Sequence, residues 1–481
     1  MPTVGNTVDD GAPDATAEAV TTFGQTAGRT VPGSLLACRA MSSRMSPNTS
    51  RSTSRAHRRG LLLTAVLALV LIAALVGTRP PEPPPPQQPS GTMEPEPDAA
   101  PTETPDEAAP TETPDGAAPT EPREFTIAMT GDILPHGAVI ESAAANAADA
   151  DADHDFRPMF AQVAPLLGSA DLAVCHLEAP LSGDNQDVVG GGDDRLPSGA
   201  PRFNAPFELA DAIADAGFDT CSTAHNHSSD AGPQGIIDTI DHLERVGVVP
   251  VGTAAEPQDA RSAHMHDVEG VTVAHVAATY GLNDPLPDDQ AWMVDRIDPE
   301  WILDEAASAR DDGADVVIVS LHHGIEYQVE PSDNQRERTE VLLGSDDVDL
   351  LIGHHAHVVQ PIERVNDKVA VHGLGNLLSN MHPDITGPRT QDGVVVTVEF
   401  VEDPDRDGFE ADAVTYVPTW VDRDDHEIVD VGATLADDDL RGDPLDDDRR
   451  AELEASWDRT VDAITREGAD EWGAVPLDPP G

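Results

Sequence analysis

From Phe125 onward, short apolar runs alternate with stretches in which apolar residues recur every three or four positions. FTIAMT (125–130), DLAVC (171–175), FDTCSTA (218–224), VGVVPV (246–251), VTVAHVA (271–277), DVVIVSL (315–321), VDLLI (348–352) and KVAVH (368–372) are short and mostly rich in β-branched residues, and they predict strands. Between them, Leu209, Ile213 and Ala216 fall at i, i+4, i+7, as do Ile236, Ile240 and Leu243, with Gly247 as a stop. That spacing gives helices with one buried face. GVVVTVEF (393–400) and ADAVTYVPTWV (411–421) predict closing strands, and one more helix is expected near 447–466. Strand–helix alternation over about 250 residues predicts an α/β domain with a mainly parallel core.

The pattern before Phe125 is different. Residues 60–78, GLLLTAVLALVLIAALVGT, run without a charge, close to the ~20 residues a helix needs to cross a bilayer. Arg51, Arg55, Arg58 and Arg59 precede the run and only Arg79 follows closely, which places the remainder of the chain outside the cytoplasm. The exit of the run lacks a small-x-small cleavage site and the run is long for a signal peptide, so an uncleaved signal anchor is favoured over a cleaved leader. Residues 1–59 show no period and are read as a disordered cytoplasmic segment. Residues 79–122 begin with PPEPPPPQQP and continue as the repeat APTETPDEA, APTETPDGA, APTE, a Pro/Thr/Glu-rich linker that cannot bury enough apolar area to fold. The predicted folded domain spans 123–425, and 426–481 is expected to be an acidic extension with one helix.

Charge narrows the choice of partners. The 481-residue chain carries 89 acidic and 28 basic residues, a formal net charge of −61. Such a surface repels phosphate backbones and argues against nucleic acid binding. Three cysteines, Cys38, Cys175 and Cys221, are too few for a disulfide framework or a cysteine zinc site. Cys175 and Cys221 are read as buried free thiols, unless their strands prove to be neighbours.

The residues directly after the strands carry the chemistry. After 125–130 comes Gly131-Asp132; after 171–175, His176-Leu177-Glu178; after 218–224, His225-Asn226-His227; after 315–321, His322-His323-Gly324; after 348–352, Gly353-His354-His355-Ala356-His357; after 368–372, Gly373-Leu374-Gly375-Asn376. Loops at the carboxyl ends of parallel strands converge on one crevice. Imidazole together with carboxylate suits zinc, manganese or iron, and two such ions ~3.5–4 Å apart can activate water. A G-x-S-x-G elbow and a phosphate-binding G-x-x-x-x-G-K-[ST] loop are absent from the sequence, and Gly190-Gly191-Gly192 reads as flexible punctuation.

The motifs GDILPHG, HLEAPLSG, FNAPFELADAIADAGFDTCSTAHNHSSDAGPQGIIDTIDHLERVGVVPVGTA, VVIVSLHHGIEY, LLIGHHAHVVQPIE and VHGLGNLL resemble the CapA family of poly-gamma-glutamate capsule proteins, a branch related to calcineurin-like metallophosphoesterases. The resemblance runs from about Phe125 to Asn376 and weakly on to about Val421. It implies a four-layer α/β/β/α metallophosphoesterase-like fold. It also implies metal ligands at Asp132, Glu178, Asn226, His322, His355 and His357, and catalytic roles for His227 and Asp230. His176, His225 and His323 depart from the family's Asn, Asn and Trp, either as neutral neighbours or as a shift in metal preference. Leu134 stands where an Asp-x-His motif would place its histidine, leaving His136 as a substitute.

Two functions are then expected to compete. One is a metal-dependent hydrolase of a phosphoester, or of an amide or ester in a cell-surface polymer. The other is a non-catalytic, membrane-anchored accessory subunit of a poly-gamma-glutamate synthase and exporter that guides the anionic polymer.

Overall fold

A computed structural model describes residues 122–149, 152–403, 408–437, 440 and 444–477, all within one compact unit, Pro110–Gly481. The apolar run 60–78 lies outside the described residues, and no helix among them is long and apolar enough to cross a membrane. In chain order the strands are β1 (Glu124–Ile133), β2 (Leu172–Leu177), β3 (Val189–Arg195), β4 (Pro201–Asn204), β5 (Thr220–Ser222), β6 (Val249–Val251), β7 (His264–Val268), β8 (Val271–Thr279), β9 (Val316–His322), β10 (Leu350–His354), β11 (Ile362–Val365), β12 (Lys368–Val371), β13 (Asn376–Leu378), β14 (Asp392–Asp403), β15 (Gly408–Val421), β16 (Ile428–Asp430) and β17 (Val475–Pro476).

β3 and β4 pair as a separate hairpin, and the others form two large sheets. One has nine strands in the order β16-β15-β14-β1-β2-β5-β6, with β13 beside β1 and β17 beside β15; the other has six, β11-β12-β10-β9-β8-β7. Both are mixed. In the first, β1, β2, β5 and β6 run parallel while β14, β15 and β16 pair antiparallel. In the second, β8, β9, β10 and β12 are parallel, edged by antiparallel β7 and β11. The parallel strands come from the alternating part of the sequence, because a parallel neighbour needs a crossover, usually a helix.

Side-chain alternation divides the interior. Ile127, Met129 and Val174 of the first sheet share a core with Val273, Val316, Ile318, Leu350 and Ile352 of the second. The opposite residues of the first sheet, Ala128, Ala173 and Cys175, pack with Leu209 and Ile213 of the helix Glu208–Asp215. Those of the second, Val276, Val317, Val319 and Leu351, pack with Ile302 and Ala306 of the helix Pro299–Asp311. Successive strand residues point to opposite faces, so near-continuous apolar runs mean that both faces are covered.

Several sequence expectations change. Cys175 and Cys221 are opposite each other in β2 and β5 and form a disulfide, not free thiols. The run expected at 246–251 is a strand only over Val249–Val251. Val246 ends the helix Gly232–Val246, which closes on Gly247 at φ 88°. Gly190 is not loose punctuation. It lies in β3, and a Cβ there would sit 2.3 Å from the Gly137 nitrogen, so only glycine allows the β3–β4 hairpin to meet the start of the helix Gly137–Asn146. The described residues of the segment 426–481 add β16 to the first sheet and contain two α-helices, Val431–Ala436 and Asp447–Ile464. On the second, Ser456 and Arg459 hold the buried Asp392 of β14.

Candidate metal centre

Register assembles the pocket from residues far apart in sequence. Asp132 of β1 is in register with His176 of β2 on one side and Asn376 of β13 on the other. In the six-stranded sheet His354 of β10 is in register with His322 of β9. Glycine allows this packing: a Cβ on Gly131 would lie 2.3 Å from the Gly375 carbonyl oxygen, and one on Gly353 would lie 2.0 Å from that of His372. Asp132 then donates its backbone N–H to Gly375 O at 3.0 Å.

Two donor groups result, each with ligand atoms within 4.8 Å of one another: Asp132, His176 and His354, and Glu178, His355 and His357. All six residues are buried. They also face one another closely. His357 Nδ1 is 3.0 Å from Asp132 Oδ2 and 3.7 Å from Glu178 Oε2, His354 Nδ1 is 3.4 Å from Asp132 Oδ1, and His322 Nε2 is 3.6 Å from Glu178 Oε1. Among the described residues, no aligned hydrogen bond reaches either oxygen of Asp132 or Glu178, either nitrogen of His354, or Nδ1 of His176 and His355. Buried polar atoms are nearly always hydrogen-bonded. This concentration of orphaned lone pairs, with oxygen and imidazole donors together, fits divalent cations.

The electrostatics point the same way. Burial pushes the Glu178 carboxyl well above its ordinary value. Burial would raise Asp132 too, but the imidazoles of His354 and His357 hold it well below. His357 would be lowered by burial, yet Glu178 and Asp132 raise it to about 10. Burial keeps His176, His225 and His322 neutral, the form a metal ligand must have. Two buried carboxylates thus draw positive charge from the one imidazole between them.

The other predicted site residues border these groups. Asn226 Oδ1 is 2.9 Å from His322 Nε2, and His322 lies outside the two donor groups. His227 Nδ1 meets Asp230 Oδ2 at 2.7 Å, and that carboxylate also accepts the Phe203 backbone N–H at 2.8 Å. Burial raises the Asp230 pKa. His225 Nδ1 accepts the His227 backbone N–H at 3.2 Å and so shapes the turn. His323 lies against Arg338. His136 stands 2.9 Å from its own loop's Leu134 carbonyl and packs on Phe203, outside both groups.

From sequence, His354 has no role and His176 is one of three added histidines. Their place follows from register. His176 is level with Asp132, His354 is level with His322, and the two imidazoles stack at 4.1 Å. Alternation along β2 and β10 is the available signal, but it speaks only once the strand neighbours are known.

These features define a class: an α/β domain built on two mixed sheets, with a buried histidine–carboxylate pocket at the strand ends. The family model described as "Bacterial capsule synthesis protein PGA_cap" matches residues 126–381, more than half of the chain, and the chain belongs to that family. Capsule biosynthesis protein CapA of Bacillus anthracis is 26% identical over 281 residues, covering 57% of this chain and 63% of that protein. PGA biosynthesis protein CapA of Bacillus subtilis (strain 168) is 31% identical over 195 residues, covering 39% and 49%. The matches therefore span less than two thirds of each relative's length. Among solved structures, the calcineurin-like phosphoesterase YfkN from Bacillus subtilis aligns over 71% of this chain and 97% of its own at 12% identity, with a TM-score of 0.37.

Proposed function

We propose that this chain is a membrane-tethered, extracytoplasmic protein of poly-gamma-glutamate capsule synthesis or export. In this reading its pocket binds divalent cations and hydrolyses a phosphoester, or an amide or ester of a cell-surface polymer. The observation that carries the reading is the set of buried donor atoms on Asp132, Glu178, His354 and His355 that no aligned hydrogen bond reaches among the described residues. The names of the relatives support the process. The run 60–78 supplies the tether, and the Cys175–Cys221 bridge suits an oxidising compartment. The core shared between the sheets suits a four-layer α/β/β/α arrangement. Two ions, of manganese, zinc or iron, suit the donor number and type.

Bound divalent ions would polarise a substrate oxygen and supply hydroxide at neutral pH. The chain's own residues do the rest. Asp230 accepts a hydrogen bond from His227 Nδ1–H and stabilises the imidazolium, the form in which Nε2–H can protonate a leaving group and return to a neutral ring. The half-exposed Tyr280 lies with its ring 4.7 Å from His355, and Tyr327 lies 6.2 Å from His357. Arg296, beside Gly281, makes no ion pair among the described residues and is free to meet an anionic substrate. The strongly acidic surface confines polymer contact to this mouth.

A second reading is a non-catalytic accessory subunit of the synthase complex. A Mycobacterium tuberculosis (strain ATCC 25618 / H37Rv) relative, 28% identical over 180 residues, is described as a probable polyglutamine synthesis accessory protein. Leu134 in place of an Asp-x-His histidine also favours it. The test is bound metal and hydrolysis of a chromogenic phosphodiester by the full-length chain purified without chelators, with His227→Ala beside it. Metal plus activity that falls about 10²–10⁴-fold in the variant is the enzyme outcome. Metal without activity is the accessory outcome. Unstripped protein without metal ends both.

A further inference from the structure

The fully buried His176 and His322 contact each other, with His176 Nε2 2.9 Å from His322 Nδ1. His176 Nδ1 has no hydrogen-bond partner among the described residues. It belongs to the residue level with Asp132 and stacked on His354. No aligned hydrogen bond among the described residues reaches either His354 nitrogen, and its Nδ1 is 3.4 Å from Asp132 Oδ1.

We infer that Asp132, His176 and His354 form a cation site of their own, separate from Glu178, His355 and His357, suited to a Zn²⁺-type ion bound by two imidazoles and a carboxylate. The inference rests on the proposed reading only in that the pocket binds cations; hydrolysis is not required. Neither His176 nor His354 is a ligand that the family resemblance assigns. Three protein ligands leave a coordination position open, as in zinc sites that bind water or substrate.

The test uses the full-length chain, stripped of metal and reloaded with Zn²⁺ or Co²⁺. Metal per chain is counted by elemental analysis, and the Co²⁺ visible absorption is recorded. His176→Asn, His354→Gln and His355→Gln are compared with wild type, and thermal melts confirm that each variant folds. Wild type is expected to hold two equivalents. His176→Asn and His354→Gln should each lose one equivalent, or bind it at least 10-fold more weakly, and change the same part of the Co²⁺ spectrum. His355→Gln should lose the other. If His176→Asn does not fold, His354→Gln carries the test. Wild-type stoichiometry and affinity in every folded variant of His176 and His354 overturns the site. A wild type with one equivalent, removed only by His355→Gln, also overturns it but leaves the hydrolase reading standing. Absent hydrolysis with the His176-dependent equivalent intact removes the hydrolase reading alone.

Discussion

The strands of the nine-stranded sheet that reach the pocket bring Asp132, His176 and, just beyond, Glu178. Those of the six-stranded sheet end in His322 and His354, with His355 and His357 in the loop beyond. Both carboxylates of the donor groups therefore come from one sheet, and three of their four imidazoles come from the other. A sheet that supplied only carboxylates would gather uncompensated negative charge in a buried place, which is costly. Facing the sheets removes that problem and makes the centre a property of their contact. The sheets are also held differently. The carboxylate side is cross-linked by Cys175–Cys221, one residue before His176. The imidazole side relies on close approach, with Gly353 against the His372 carbonyl.

That contrast can be broken from each side. The bridge closes a separation of 46 residues, worth about 4 kcal/mol in the chain-entropy account. The double variant Cys175→Ala/Cys221→Ala should lose stability of that order in denaturant titration, the largest single effect expected here. An unchanged midpoint would mean that the first sheet needs no covalent support. Gly353→Ala drives a methyl into a backbone oxygen and should cost about 1–3 kcal/mol. It should also disturb metal binding by His355 and His357 more than that by Asp132, which metal counting resolves.

A pH-dependent effect concerns Asp295, which lies beyond the loop after β8 and accepts the Arg261 backbone N–H at 3.0 Å. Burial raises its carboxyl to about 7, above the ~3.9 of an unfolded chain. Between those values the folded state keeps a proton that the unfolded state has lost, so this group's contribution to stability falls as pH rises from ~4 to ~7. Asp295→Asn keeps the acceptor and removes the titration. The stability of the variant relative to wild type should rise across that window and level off above it, measured as melting temperature against pH.

The β-branched runs made the strands legible because burial on both faces leaves little room for other residues. The polar residues directly after those runs made the pocket legible, since parallel strands end together. Lateral order was not legible. That β2 lies beside β5 decides the fate of Cys175 and Cys221, and a run of apolar letters does not name its neighbour. His176 and His354 were obscured for the same reason, since each becomes a donor only when the opposite sheet faces it. Gly190 looked like slack because a close approach between two backbones leaves no mark beyond the glycine itself.

The loop after β10 holds His355 at φ 93° and His357 at φ 55°, in the left-handed region where a side chain costs roughly 1–2 kcal/mol per residue. Glycine would sit there more comfortably. Histidine at both places therefore delivers two imidazoles to one donor group at a cost in backbone ease. Selection for a sturdier loop and selection for those two imidazoles would pull this segment in opposite directions.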